Sequence, residues 1–413
     1  MMATNSTDRR HQSSDVRRVR YSRNTVRGAR LLELLAASVQ PFTIRRGAIR
    51  QPSEAAILVI EPFGLGDLVA ATAFFAVLRR EFPRARIEVA CHERWADWVR
   101  TLRFVDGVRG YRFPWSTIPK RLGLKEIRGI LRYVTELRQS RFDIGIDIRG
   151  DIRSQALLAM AGCPTRVGFR DYMGSNVVQR GLLLTHAAEC GVRPRLEELR
   201  SLLNLLGVHS SELHMDVGLE KSPSRDTTTP RIGVHVGAGW EFKKWSRSNW
   251  ETLIDAVTSE WPADVELIGS PGDRLELEAI ASARSHRVSV CITESVRALT
   301  ERISLLDLLI CHDSAPVHIA AALDVPAIAL FGAGEVSRWG KIAGSVDCVH
   351  HQDDFACAPC TQKTCLSPTA TCVNSIAPNE VLERLRRRLP PDLVPGAQPV
   401  TLTRKRIDCS RRS

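Results

Sequence analysis

Short apolar runs that lead through a glycine-containing turn into a helix-periodic stretch recur along most of this chain, and that alternation admits few folds. The first run, Ala55-Ala-Ile-Leu-Val-Ile-Glu61, has the continuous hydrophobicity of a strand buried on both faces. Behind it Leu68, Ala71, Phe75, Leu78 and Phe82 return at three- and four-residue steps until Pro83, the period of an amphipathic helix. Further strands are expected at 86–91, 107–113 and 142–148, with helices near 93–102 and 124–137. A parallel sheet with right-handed crossovers satisfies that order.

The stretch 218–230 turns polar and rich in Ser, Thr and Pro, as a linker does, and the alternation then restarts. Strands are expected at 231–236, 265–268, 288–292, 307–311 and 327–331, helices near 248–260, 273–284, 296–304 and 314–323, and a last helix over 378–389. At 413 residues the chain exceeds what one hydrophobic core serves. The expected fold class is α/β, with two Rossmann-like parallel-sheet domains facing a cleft, where the carboxyl ends of the strands receive a nucleotide-like ligand. The expected boundaries are a basic arm 1–52, a first domain 53–220, a second 221–390 and a basic tail 391–413.

The net charge of +12 sits wholly in the two ends. Residues 1–50 carry eleven Arg against Asp8, Asp15 and Glu33, and 399–413 carry five Lys and Arg against Asp408, so the body is neutral. Such tails suit something anionic, a lipid surface or a nucleic acid, or else extend as solvated chain. An Arg-rich, Ser-containing leader also resembles an organelle transit peptide, whereas Glu33 breaks the only early apolar run and argues against a secretory signal. No window reaches the roughly 18 apolar residues of a membrane span, so a soluble body is expected. Seven of the eleven cysteines are scattered, which points to a reducing compartment.

Three strand-to-helix turns carry the chemistry. Gly64-Leu-Gly66-Asp67 follows the first strand, where Asp67 is either a helix-dipole partner or a general base at the cleft mouth. His235-Val-Gly237-Ala-Gly239-Trp240 ends the first strand of the second unit and leads to Lys243-Lys-Trp-Ser-Arg-Ser-Asn-Trp250. There Gly237 and Gly239 let backbone approach a ligand, Lys243 meets a phosphate or is a surface lysine, and Ser246 or Ser248 caps the next helix. His312-Asp313-Ser314-Ala315-Pro-Val-His318 opens a helix after an apolar strand, a composition suited to a diphosphate, with a plain core role for His318 as the alternative. Separately, Cys357, Cys360, Cys365 and Cys372 form C-x2-C-x4-C-x6-C. A structural zinc or iron–sulfur site leads here over labile disulfides and free thiols, with His350 and His351 as further ligand candidates.

The order and spacing of these motifs, with Phe331-Gly332, resemble bacterial glycosyltransferase family 9, the lipopolysaccharide heptosyltransferases, over about 57–385. The resemblance implies a GT-B fold and an inverting transfer that needs no metal or other cofactor, from a nucleotide-sugar donor, typically ADP-heptose, to a lipopolysaccharide-core or other lipid-linked saccharide acceptor. It makes Asp67 the base, gives the donor phosphates to Lys243 (Lys244 the alternate), and assigns Asp313, Ser314, Ala315 and His318 to the diphosphate, with Gly66, Gly237 and Gly239 beside the donor. It also implies a cytoplasmic enzyme, peripheral at the inner face of the plasma membrane, where the basic tails find a use. Gly64 stands where Ser is usual, Ala315 where Gly is usual, and Ala333-Gly334 where Pro-Thr is common. Three alternatives stay open: another nucleotide-sugar donor; a nucleotide-sugar or nucleic-acid binding protein without turnover; and a dinucleotide oxidoreductase. A nucleic-acid partner is disfavoured because the arm has one aromatic, Tyr21, in its first forty residues. The oxidoreductase lacks the third glycine of its fingerprint, which would fall at Val69.

Overall fold

The structure, a computed structural model, describes residues 54–389 except 117–122, 171–182, 190–192, 211, 223–228, 285, 359, 361–364 and 366–370. The basic arm 1–52, the tail 391–413 and residues 223–228 of the polar linker therefore lie outside the described residues.

The first half builds β1 (Ala56–Glu61), α1 (Leu65–Glu81), β2 (Arg86–His92), α2 (Glu93–Val99), β3 (Gly107–Tyr111), α3 (Leu124–Gln139), β4 (Ile144–Asp147), α4 (Ile152–Met160), β5 (Thr165–Arg170), β6 (His186–Glu189) and α5 (Arg195–Leu205). The second half follows with β7 (Arg231–His235), α6 (Arg247–Glu260), β8 (Asp264–Gly269), α7 (Arg274–Ala281), β9 (Val288–Ile292), α8 (Val296–Ser304), β10 (Leu308–His312), α9 (Ala315–Ala322), β11 (Ala327–Phe331), a helical turn α10 (Val336–Trp339), β12 (Val346–His350) and α11 (Pro378–Arg388). The first sheet runs β3-β2-β1-β4-β5-β6 and the second β12-β11-β10-β7-β8-β9, every pairing parallel. Counted from its own first strand, each half has the doubly wound order 3-2-1-4-5-6, so each reverses direction between its first and fourth strands.

Burial follows the apolar runs. All six residues of β1 and all five of β10 and β11 are buried, as strands covered on both faces require. Ser246 caps α6 by accepting from the Asn249 N–H at 3.2 Å, one of the two caps expected. β5, β6 and β12 were not anticipated: β6 and β12 are sheet edges, half exposed and carrying polar residues, so they lack a continuous apolar run. The two sheets are not independent. One hydrophobic cluster runs from Val59, Phe74 and Phe75 of the first half into Val317, Ile319 and Phe331 of the second, joined where α1 packs on α9. Among the described residues no helix is long and apolar enough to cross a membrane.

Candidate active site

Four loops converge where the two switch points face each other: those after β1, β4, β7 and β10. The turn after β1 ends at Gly64, and no side chain caps α1, which leaves its first N–H groups without a side-chain acceptor. Asp67 lies in that first turn with its side chain 15% exposed, and its carboxylate is paired with Arg149 from the loop after β4. Burial pushes the Asp67 carboxyl up, but Arg149, Arg195, Arg338 and His318 outweigh it and hold the group below the ordinary carboxylate value. Asp67 is therefore an anion at neutral pH.

The loop that carries Arg149 is itself fixed. Oδ1 of the buried Asp147 accepts from the N–H groups of Arg149 and Gly150 at 3.1 Å each, Oδ2 accepts from Gln155 at 3.1 Å, and Gly150 takes φ 82°. The Arg149 guanidinium stacks on Phe63 at 4.8 Å, and Arg153 reaches both Phe63 and Trp115, so an aromatic and cationic wall lines the first half. Behind Asp67 lies a second carboxyl, Glu61, fully buried and pushed up to about 8 first by burial and then by Asp67. Its Oε2 is 4.0 Å from Nη2 of the equally buried Arg195.

In the second half, His312 at the end of β10 accepts from the Trp245 N–H through Nε2 at 2.8 Å, which leaves Nδ1 to donate to the Gly237 carbonyl at 3.2 Å. Burial lowers this imidazole to about 4, so it stays neutral and ties the Gly237 and Trp245 loops to β10. Lys243 Nζ lies 2.9 Å from Asp313 Oδ2. Lys244 turns away to Glu241 at 3.1 Å, so Lys243 is the lysine of the pair that faces the α9 turn. Ser314 is the N-cap residue of α9, but its hydroxyl donates back to the His312 carbonyl at 3.3 Å and no side chain caps the helix. Asp313 rests on Gly334, where any Cβ would collide with its carboxylate. That is a steric reason for Gly at 334. Gly237 is crowded by His235, whereas Gly239 faces open space.

The halves touch at Gly66. A Cβ there would come within 2.6 Å of His318 Cδ2 and 3.7 Å of the Ala315 Cα, so the first turns of α1 and α9 meet face to face. His318 is buried and packs edge-on against Trp339 at 5.1 Å, and burial lowers its imidazole from the usual value. Its Nδ1 has no hydrogen-bond partner among the described residues. The core alternative for His318 thus holds for its packing, and it still stands beside Asp67. Gly66, Asp67, Lys243, Asp313, Ser314, Ala315 and His318 come together. Arg149, Glu61, Arg195 and Arg338, and Glu198, which accepts from both Arg195 and Arg338, were missed; the signal available was the position of Arg149 just after the strand that neighbours β1, which only the strand order reveals.

The metal expectation at Cys357, Cys360, Cys365 and Cys372 finds no support among the described residues. None of the four is joined in a disulfide, and among the described residues no three His, Cys, Asp or Glu side chains are grouped to hold a metal ion. Cys372 is buried against Gly332, whereas Cys357 is exposed. Burial and the three neighbouring thiols push Cys372 up to about 11. His351 is committed elsewhere, with Nε2 2.9 Å from Glu380 and Nδ1 3.1 Å from Ser375.

The profile of Glycosyltransferase family 9 (heptosyltransferase) matches residues 130–370, more than half of the chain. Lipopolysaccharide heptosyltransferase 1 of Pseudomonas aeruginosa is 25% identical over 320 residues, 75% of this chain and 87% of that one. Among solved structures, E. coli ADP-heptose lipopolysaccharide heptosyltransferase II covers 81% of this chain and 98% of its own at TM-score 0.60 and 20% identity. An E. coli heptosyltransferase solved with ADP covers 81% and 100% at TM-score 0.63 and 15% identity. These likenesses establish the fold as GT-B.

Proposed function

The chain belongs to glycosyltransferase family 9, the heptosyltransferases, and from that premise we propose that it moves heptose from ADP-heptose to a lipopolysaccharide-core or other lipid-linked saccharide with inversion and without a metal. The observation that carries this reading is the meeting of two uncapped helix starts at Gly66 and His318, with the Asp67 anion on one side and Lys243 on the other.

Asp67 accepts the proton of the acceptor hydroxyl as its oxygen bonds to the anomeric carbon. The bond from that carbon to the nucleotide diphosphate breaks on the opposite face of the sugar, which inverts the centre. The negative charge of the departing diphosphate is met by Lys243 and the first turn of α9, with Asp313 holding the lysine in place and the unpartnered Nδ1 of His318 within the same turn. Arg149 keeps Asp67 ionised and oriented until the hydroxyl arrives. In this reading the first domain, 53–220, holds the acceptor and the second, 221–390, holds the donor, while the basic arm and tail keep the enzyme at the anionic inner face of the membrane.

A thermal-shift titration tests the donor without needing the acceptor. ADP is expected to stabilise the protein more than UDP, GDP or NADH, and Lys243→Ala to weaken that stabilisation. A preference for UDP or GDP would replace the donor, and indifference to every diphosphate would remove the catalytic reading.

A further inference from the structure

Helix α3 leaves an apolar stripe in water that neither the core nor the proposed reaction uses. Its inner face buries Tyr133, Val134 and Leu137 against the first sheet, with the Tyr133 hydroxyl donating to the Arg109 carbonyl at 3.0 Å. Its first two turns do not follow this pattern: Leu124 is 77% exposed, Ile127 45% and Leu131 53%. At about 100° per residue these three fall within about 60° of arc, and the exposed Lys125, Arg128 and Arg132 fill the adjoining arc of about the same width. None of the three cations pairs with an acidic side chain among the described residues, and Glu126 is occupied in capping Gly123 N–H at 2.9 Å.

The location matters as much as the composition. α3 follows edge strand β3, so its start lies at the carboxyl end of the first sheet, the same end as the Asp67 turn. Arg153 lies between Phe63, beside the Asp67 turn, and Trp115, whose ring meets Phe113 at 5.4 Å, and Phe113 meets Tyr133 of α3 at 5.8 Å. We propose that the first two turns of α3 dock this protein onto an anionic lipid bilayer, with Leu124, Ile127 and Leu131 entering the headgroup–acyl boundary and Lys125, Arg128 and Arg132 lying against lipid phosphates. An apolar stripe flanked by unpaired cations is complementary to such a surface, whereas a protein partner would have to bring its own acids. The surface stands on α3 itself, and its test reads lipid binding, so it fails or survives apart from the proposed transfer.

The test is co-sedimentation of the full chain with phosphatidylglycerol–phosphatidylethanolamine vesicles, with phosphatidylcholine vesicles as the neutral comparison. Wild type is expected to bind the anionic vesicles, and the triple variant Leu124→Ser, Ile127→Ser, Leu131→Ser to bind them at least about tenfold more weakly with an unchanged melting temperature. Because that variant keeps every charge, the arm included, undiminished binding would overturn the proposal. So would a variant that leaves lipid binding intact and changes the oligomeric state, which would assign the stripe to a protein contact. Should the triple variant fold poorly, Leu131→Trp replaces it. Quenching of the added fluorescence, relative to wild type, by bilayers with brominated acyl chains supports insertion, and no added quenching refutes it.

Discussion

Arg338 donates to a single oxygen of Glu198 from both Nε, at 3.0 Å, and Nη2, at 2.8 Å, across 140 residues of chain and from one sheet's half to the other. The same oxygen receives Arg195 Nη1 at 3.0 Å, and all three side chains are buried. Glu198→Gln therefore leaves two buried guanidinium groups without their shared anion and is expected to cost about 3–5 kcal/mol. Arg338→Met leaves Glu198 its Arg195 partner and is expected to cost about 1–3 kcal/mol. Urea unfolding of both variants checks the ranking; equal or reversed losses would show that Glu198 is not the centre of this network.

Gly66 has no room for a side chain because the His318 ring lies on it. Gly66→Ala is expected to force α1 and α9 apart at an overpacking cost of about 1–3 kcal/mol. Transfer should suffer far more than stability, since a displacement near 1 Å at the reacting centre can cost about a hundredfold. A Gly66→Ala enzyme with wild-type kcat/KM would show that the contact is incidental.

If Asp67 takes the hydroxyl proton, Asp67→Asn should lose about 10²- to 10⁴-fold in transfer rate while ADP still raises its melting temperature. Arg149→Met makes a companion test. Burial raises the Asp67 carboxyl and Arg149 is the first of the charges that oppose it, so its loss should move the acid limb of the pH–rate profile to higher pH. Activity should then fall more at pH 6 than at pH 8. A uniform loss at both would make Arg149 a substrate contact instead.

Glu61 gives the stability curve a defined slope. Its carboxyl is raised in the folded protein from 4.5 to about 8 by burial and by Asp67, so its stabilising contribution is complete below about 4.5 and disappears as pH rises through about 8. Glu61→Gln keeps the neutral shape and removes the ionisation. The variant's melting temperature relative to wild type should climb between pH 6 and 9. Parallel curves over that range would mean that Glu61 is already ionised at pH 6.

The parts of this fold that could be read from sequence are those whose cause is local. β1, β10 and β11 announce themselves because a strand covered on both faces must be apolar throughout, and Asp67 and Asp313 to His318 because each stands just past such a strand, whereas Lys243, further beyond β7, is marked by the glycines that precede it. β6 and β12, at sheet edges, obey no such requirement and left no run to find. Arg149 reaches Asp67 only because β4 lies beside β1, and Glu198 reaches Arg338 only because α5 meets α10; neither adjacency is written in neighbouring residues. The choice between Lys243 and Lys244 also needed coordinates, since both carry the same charge one residue apart. The cysteine spacing did bring thiols together, since Cys357, Cys360 and Cys365 all act on Cys372, but among the described residues they do not group into a ligand shell.

The contact of His318 with Gly66 sets a close approach of the two halves beside Asp67, and the shared hydrophobic cluster and the buried Arg338–Glu198 pair fasten the halves around it. A substitution remote from Asp67 that loosens this join therefore reaches the turn through packing alone.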